Sequence, residues 1–396
     1  MQRNSEIVVM SAVRTPIGRY GGSLKDLQMA EIAARVSGEA IRRAGITPQE
    51  VEHVVFGNVI HTEPQDMYLS RVAALRAGVP VESPALTLNR LCGSGMQAIV
   101  SAAQCIWMGD AKIALAGGAE SMSRAPYWLT GMRWGQRMND SMALDIMVNA
   151  LTDPFEKLHM GVTVEAIAKK WGITREDQDA LAAESHKRAF HAVQSCHFKS
   201  QILPIELKIK GGTTIFEKDE GPRGDASIEN LARLKPAFDK NGTVTAGNAS
   251  SVNDGAAAVI LMDQKAAQER GFKPMARLVD YSIVGVEPGM MGTGPIPAVR
   301  KVLEKAGMKI SDIDVFEVNE AFAAQALAVC RELQLPMDRT NPNGSGISLG
   351  HPVGATGAII TVKLLHELKR INGRYGLATM CIGGGQGMAA IFENLN

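Results

Sequence analysis

The chain has 396 residues, more than one ordinary core supports, so two or more layers or domains are expected. Apolar residues make up 45% and charged residues 21%, the balance of a soluble globular protein. The 42 basic residues face 41 acidic ones, a near-neutral charge that gives no nucleic acid and no membrane surface as partner.

The opening MQRNSEIVVMSAVRTP lacks a basic region followed by an apolar one and reaches a strand by Ile7. No secretory leader is expected from it, nor a spanning helix from any apolar run, and a cytoplasmic protein follows as the expectation. The five cysteines, Cys92, Cys105, Cys196, Cys330 and Cys381, are scattered and form no C-x-x-C pair. Neither a metal site nor a disulfide framework is indicated.

Residues 40–59, AIRRAGITPQEVEHVVFGNV, read as a helix ending at a glycine, an acidic turn and a strand. Next, NRLCGSGMQAIV (89–100) follows a strand-like run from Pro84 to Leu88 and opens a helix. A thiol at that junction faces the positive end of the helix dipole and free backbone N–H groups, which favour the thiolate. Two readings of Cys92 stand open here, an activated nucleophile or a small buried hydrophobe.

Roughly residues 122–245 have no counterpart elsewhere in the chain. They hold MSRAPYWLTGMRWGQRMND, a helical stretch around TREDQDALAAESHKRAFHAV, and the polar loop KGGTTIFEKDEGPRGDASIEN. A long insertion of this kind is commonly a lid or binding region, and otherwise solvated decoration or an oligomer contact.

The helix–turn–strand unit returns at 302–321, VLEKAGMKISDIDVFEVNEA, aligned without gaps to 40–59. Nearly the same offset sets GSGMQAIV (93–100) opposite GATGAIIT (354–361). Two related α/β halves are therefore expected, one from 1–121 with a returning piece at 245–270, the other from 271–396. The strand FEV runs into Asn319 and Glu320, which the residues alone favour as a helix cap and a first-turn acid. In NPNGSGISLGHPVGATG (341–357), Pro352 pushes His351 into an extended conformation. By the repeat register His351 lies within three positions of the counterpart of Cys92, and a pseudo-dyad would bring the two junctions together at the centre.

GLATMCIGGGQGMAAIF (376–392) reads as strand, glycine turn, strand. A dinucleotide loop there would need a following helix and an acidic residue about 20 positions on, and neither is available. The glycines better present N–H groups to a substrate oxygen. Cys105 and Cys330 read as core, Cys196 as incidental, and His53, His61, His186, His191, His197 and His366 show no partner motif.

Taken together, NRLCGSGMQA, VNEAFAAQ, NPNGSGISLGHPVGATG and CIGGGQG resemble the signatures of the thiolases, in order and spacing, along essentially the whole chain. TVTAGNASSVNDGAAA (243–258) and HMGVTVE (159–165) add to the likeness, which is nearest to bacterial short-chain β-ketothiolases. The resemblance implies an α/β thiolase fold, a five-layered αβαβα core of two similar halves, with 122–244 as a lid that binds CoA. It implies reversible condensation of acetyl-CoA with an acyl-CoA to a 3-oxoacyl-CoA through an acyl-cysteine. Cys92 would be the nucleophile, His351 its activator and Cys381 the acid/base at the α-carbon. Asn319 would hold a water that binds the thioester oxygen with His351, while the N–H groups of Cys92 and Gly383 form a second oxyanion hole. CoA contacts would map onto His159, Met160, Arg223, Ala246, Ser250, Met291, Ala321 and Phe322. CoA and acyl-CoA thioesters are substrates, no cofactor is permanently bound, and a homotetramer is implied.

Three positions depart from the family pattern: Ser251 and Ala166, where glycine and asparagine are usual, and Gly224-Asp225, where histidine often follows the arginine. These are expected to touch CoA affinity or substrate choice more than chemistry. A decarboxylating ketoacyl synthase shares the nucleophile but needs no base like Cys381. A non-catalytic acyl-CoA-binding relative would be expected to lose Cys92, His351 or Cys381.

Overall fold

The computed structural model describes residues 5–396. The first half contains β1 (Ile7–Arg14), β2 (Gly18–Arg19), α1 (Met29–Arg43), β3 (His53–Gly57), α2 (Leu69–Arg76), β4 (Ala85–Leu88), α3 (Ser94–Met108) and β5 (Ile113–Ser121). An intervening stretch carries β6 (Tyr127–Leu129), β7 (Ala143–Asp145), α4 (Ile146–Ala150), α5 (Met160–Lys170), α6 (Arg175–Gln194), β8 (Ile205–Ile209), β9 (Gly212–Phe216) and α7 (Ile228–Ala232). Then come β10 (Asn253–Asp263), α8 (Gln264–Glu269), β11 (Ala276–Gly285), α9 (Pro295–Ala306) and β12 (Val315–Val318). The chain closes with α10 (Ala323–Leu333), α11 (Gly346–Leu349), α12 (Val353–Ile371), β13 (Tyr375–Ile382) and β14 (Gln386–Asn394).

The main sheet runs β12-β13-β14-β11-β1-β10-β5-β3-β4, with β2 beside β10. From β12 to β3 this order is symmetric about the β11/β1 junction. β3 lies parallel to β5 as β12 does to β13, and the β5-β10-β1 ladders match β13-β14-β11 as antiparallel pairs. Even the register shifts correspond, between Val9 and Ser11 in β1 and between Leu278 and Asp280 in β11. Among the described residues, the two half-sheets pair at their seam through Val8–Arg277 and Val9–Ala276.

The repeated unit has a local cause in each half. Helices α1 and α9 end at Gly45 and Gly307, whose φ of +70° and +65° lie where a side chain is strained. In the turn that follows, Glu50 and Asp312 reach back to accept the N–H of Thr47 and Lys309. Helices α1 and α2 cover the outer face of the first half and α9 that of the second, while α3 and α12 pack against each other between the two sets of strands. This is the five-layered α/β arrangement.

Backbone contact, rather than side-chain packing, sets the central layer. A Cβ on Gly95 would fall 2.5 Å from the Ala358 nitrogen, and one on Gly357 would fall 2.4 Å from that of Met96. Further out, buried Arg14 donates from Nη1 and Nη2 to Asp219 at 2.7 and 2.9 Å and from Nε to Gln201 at 2.7 Å. That pair stitches the intervening stretch to β1.

Two sequence expectations change here. The stretch expected to be a polar loop contains β9, which pairs with β8 across a turn where Gly211 has φ of +93°. Its alternation Thr-Thr-Ile-Phe carries too few apolar residues to register as a strand by itself. Cys105 is half-buried, not core, because it lies on the outer flank of α3 with exposed Gln104 and Met108, while neighbouring Ile106 turns inward. Among the described residues, no helix is long and apolar enough to cross a membrane.

Gly357→Ala should force α3 and α12 apart and lower stability by about 1–3 kcal/mol, as overpacking does. Gly38→Ala, in α1 with open space around the added methyl, should raise stability by about 0.5–1 kcal/mol. Urea denaturation of both variants checks the contrast.

Candidate active site

The turn that carries Cys92 is held by its own side chains. Leu91 is forced to φ of +44°, an unusual value for a non-glycine residue. Its N–H donates to Asn89 Oδ1 at 2.8 Å, and Ser94 Oγ accepts the Arg90 N–H while donating to Leu91 O. Arg90 Nη1 donates to Gln386 Oε1 at 2.8 Å, tying the turn to the β13–β14 connection. The same two segments also meet at Gly93, where a Cβ would fall 2.5 Å from Ile382 Cδ1 and push that side chain aside.

That connection is glycine for physical reasons. Gly384 and Gly385 have φ of +79° and +83°, and a Cβ on Gly383 would sit 2.2 Å from Met160 Cε. The backbone N–H groups of Gly383 and of Cys92 itself act on the Cys92 thiol and pull its pKa down. Cys381, at the end of β13, is almost fully buried and feels the charge of Cys92. It shares an apolar cluster with Met160, Met291, Ala321 and Phe322.

Burial decides the protonation of these groups. It pushes the Cys92 thiol up to about 11, against the pull of the two N–H groups, with the Glu120 charge adding to the rise. The Cys381 thiol is raised by burial first and by Cys92 second. His351, also buried, is pushed down to about 4. Burial thus works against the thiolate that the helix end favours, and Cys92 and His351 are both pushed toward their neutral forms.

His351 Nδ1 lies 2.7 Å from Thr356 Oγ1, which also lies 2.9 Å from Pro352 O; with the hydroxyl donating to Pro352 O, the Nδ1–H tautomer of His351 is the one that completes both contacts. Nε2 is left as an acceptor, and Asn319 Nδ2 lies 3.5 Å from it. Asn319 Oδ1 is buried without a hydrogen-bond partner in the protein. Cys92 and His351 thus stand at the starts of the two central helices that cross at Gly95 and Gly357.

Asn319 and Glu320 do not cap a helix. Helix α10 begins only at Ala323, with no side-chain cap. Glu320 instead accepts from Ser185 Oγ at 2.6 Å and from Asn341 Nδ2 at 2.9 Å. Burial raises its carboxyl despite these bonds.

The remaining sequence-selected residues form a rim. His159 stacks on Phe238 at 4.6 Å, and Phe238 meets Phe322 edge-on at 6.1 Å. Ser250 donates its N–H to Ala321 O at 2.9 Å, while Ala246 on the same loop is exposed. Arg223 is exposed on a loop whose N–H is accepted by His186 Nδ1 at 3.3 Å. Burial, then the Arg223 charge, pushes His186 down to about 4. Of the departures, Ala166 faces solvent on α5, Gly224 lies against the Phe190 ring, and Ser251 Oγ donates to Asn253 Oδ1 at 2.9 Å. Thr356 and Asn253 escaped sequence reasoning; the only trace of Thr356 is one hydroxyl at the start of an apolar helix.

The chain matches the family models "Thiolase, N-terminal domain" over residues 7–265 and "Thiolase, C-terminal domain" over 272–394. It is 59% identical to Beta-ketothiolase BktB of Cupriavidus necator, with 98% of this chain and 99% of that protein covered. The crystal structure of the Bacillus anthracis acetyl-CoA acetyltransferase superposes with a TM-score of 0.97 at 48% identity, covering 99% of each chain. Human mitochondrial 3-ketoacyl-CoA thiolase in complex with CoA gives 0.95 at 43% identity, covering 98% of each.

A neutral resting thiol predicts that alkylation of Cys92 by iodoacetamide rises about tenfold per pH unit from pH 7 to 9. Mass spectrometry of the Cys92 peptide reads it. A plateau near pH 7 would mean a resting thiolate.

Proposed function

The chain belongs to the thiolase family and is an acyl-transferring enzyme, and we propose that Cys92, His351 and Cys381 carry its reversible condensation and thiolysis of acyl-CoA thioesters. What supports the assignment most is one observation: Cys92 and His351, both buried, stand at the starts of two helices that meet backbone to backbone at Gly95 and Gly357, with Asn319 Nδ2 3.5 Å from His351 Nε2.

In thiolysis, Cys92 Sγ attacks the 3-oxo carbon while its proton passes to His351 Nε2. The tetrahedral oxyanion is met by the N–H groups of Cys92 and Gly383, donors each worth roughly 3 kcal/mol in such sites. The C2–C3 bond then breaks, leaving acyl-Cys92 and the enolate of acetyl-CoA. Cys381 gives its proton to C2, and Asn319 with His351 steadies the enolate oxygen through a water. Free CoA next attacks the acyl-cysteine, its thiol proton returning to Cys381. The Cys92 thiolate leaves and recovers its proton from His351. Condensation is the same path reversed, and a buried thiol that rests neutral serves as acid in one direction and base in the other.

Only protons and an acyl group move, so the proposal needs CoA and acyl-CoA as substrates and no resident cofactor. His159, Met160, Arg223, Ala246, Ser250, Met291, Ala321 and Phe322 would hold CoA, with residues 122–244 as the lid between a half at 1–121 plus 245–270 and a half at 271–396. A homotetramer is supported by the apolar surface around β6, where Tyr127, Trp128, Leu129 and Trp134 are exposed. Free cysteines throughout are in keeping with a cytoplasmic setting.

Cys92→Ala should abolish acyl transfer. Cys381→Ala should stop carbon–carbon chemistry yet still let Cys92 take an acetyl group from labelled acetyl-CoA, read by intact-protein mass spectrometry. Acylation that survives loss of Cys92 would sink the nucleophile assignment. Purified protein with free CoA should cleave acetoacetyl-CoA, 3-oxovaleryl-CoA and 3-oxohexanoyl-CoA, because the adaptable Met160 and Met291 line the site. Cleavage of the four-carbon substrate alone would mark an acetoacetyl-specific enzyme.

A further inference from the structure

His351 belongs to the second half, yet first-half side chains hold the turn that carries it. Asn253, the first residue of β10, is fully buried. Its Oδ1 accepts the backbone N–H of His351 at 2.9 Å and the hydroxyl of Ser251 at 2.9 Å, and its Nδ2 donates to Gly18 O at 3.0 Å. Both acceptor positions of the amide oxygen are thereby filled. Gly350, with φ of +117°, packs directly on it; a Cβ there would lie 2.5 Å from Asn253 Cγ. At the other end of the turn, buried Glu120 accepts the Gly354 N–H at 2.8 Å.

Ser251 is the outward end of this arrangement. It follows Ser250, whose N–H is donated to Ala321 O, at the end of the loop proposed to touch CoA. Its side chain has two courses, toward the ligand or toward Asn253, and the hydrogen bond takes the second. The His351 N–H and Gly18 O fix which way the Asn253 amide faces, since the flipped amide would set an N–H against the His351 N–H, and in that orientation the Ser251 hydroxyl is the donor to Oδ1.

We propose that Ser251 and Asn253 are positioning residues that hold the backbone of His351, so that the base is set from the loop proposed to bind CoA. Neither touches the reacting atoms; both act through His351, and the inference rests on the thiolase chemistry proposed above. A base displaced by about 1 Å loses on the order of a hundredfold in rate.

Steady-state thiolysis of acetoacetyl-CoA by the full chain tests this with Ser251→Ala, Ser251→Thr and Asn253→Ala. Ser251→Ala should lower kcat roughly threefold to tenfold, the scale of one neutral hydrogen bond, with KM for CoA and for acetoacetyl-CoA within about twofold. Ser251→Thr, which keeps the hydroxyl, should restore most of the loss. Asn253→Ala should lower kcat about a hundredfold. An unchanged kcat in Ser251→Ala, a higher KM for CoA in place of a lower kcat, or no recovery by threonine would each overturn the proposal. Ser251 is exposed, so its variants keep the test sharp even if Asn253→Ala fails to fold. An inactive wild-type chain would strike the thiolase chemistry itself, whereas a normal wild-type rate with unaltered Ser251→Ala kinetics strikes the positioning role alone.

Discussion

Everything in this molecule depends on how closely α3 and α12 approach. Two half-sheets that, among the described residues, share two residue pairs at their seam would be loosely related without a rigid middle layer. Glycines at 95 and 357 let the two helices meet backbone to backbone. Helix starts located this way are fixed by close backbone packing rather than by side-chain rotamers. The two starts bear the Cys92 turn and the His351 turn. Gly118 of β5 extends the contact, since a Cβ there would fall 2.4 Å from Gly354 O.

The same burial that makes the middle layer rigid sets its electrostatics. A solvated helix N-terminus would favour the thiolate, but here the thiols and the imidazole all lose their water together. Charged forms are penalised on every side, so thiol and imidazole stay neutral until a substrate carbonyl is present to take the charge. The Gly383 N–H, which only partly offsets desolvation of a resting sulfur, is better matched to a developing oxyanion. Holding a proton on each thiol also prevents two adjacent sulfurs from repelling as thiolates. This is a site organised around charge that appears during reaction rather than charge stored beforehand.

How far the sequence foretold this follows from what kind of interaction was at stake. The two-fold repeat was legible because its units are local, a helix stopped by Gly45 or Gly307 and an acid reaching back three residues. The glycine turns at 93–95 and 383–385 were legible because close approach leaves a compositional mark. From the residues alone Asn319 looks like a cap, and only the family resemblance gives it a role at the substrate, since the unwound step between β12 and α10 depends on Glu320 reaching Ser185 and Asn341, both distant in sequence. The pull of burial on Cys92 is hidden for a related reason: the helix end is local, while desolvation is a sum over the whole fold. Thr356 and Asn253 act through single hydrogen bonds that no periodicity records.

The departures from the family pattern take on a different meaning in three dimensions. By sequence they fall in segments expected to bind CoA and would touch affinity or substrate choice more than chemistry. Yet the loop that carries Arg223 passes so near the base that a Cβ on Gly221 would fall 2.4 Å from Ser348 O and 2.7 Å from Leu349 O. Asp219, two residues earlier, is locked to Arg14 of β1 and also accepts the Ile17 N–H at 2.8 Å. The loop is therefore clamped to the first half on one side and pressed on the His351 turn on the other. Ser251 reaches that turn independently through Asn253. Segments proposed to hold the ligand are thus mechanically continuous with the turn of His351, the proposed base. On that proposal, a change made there for substrate choice would be felt in turnover as well as in binding.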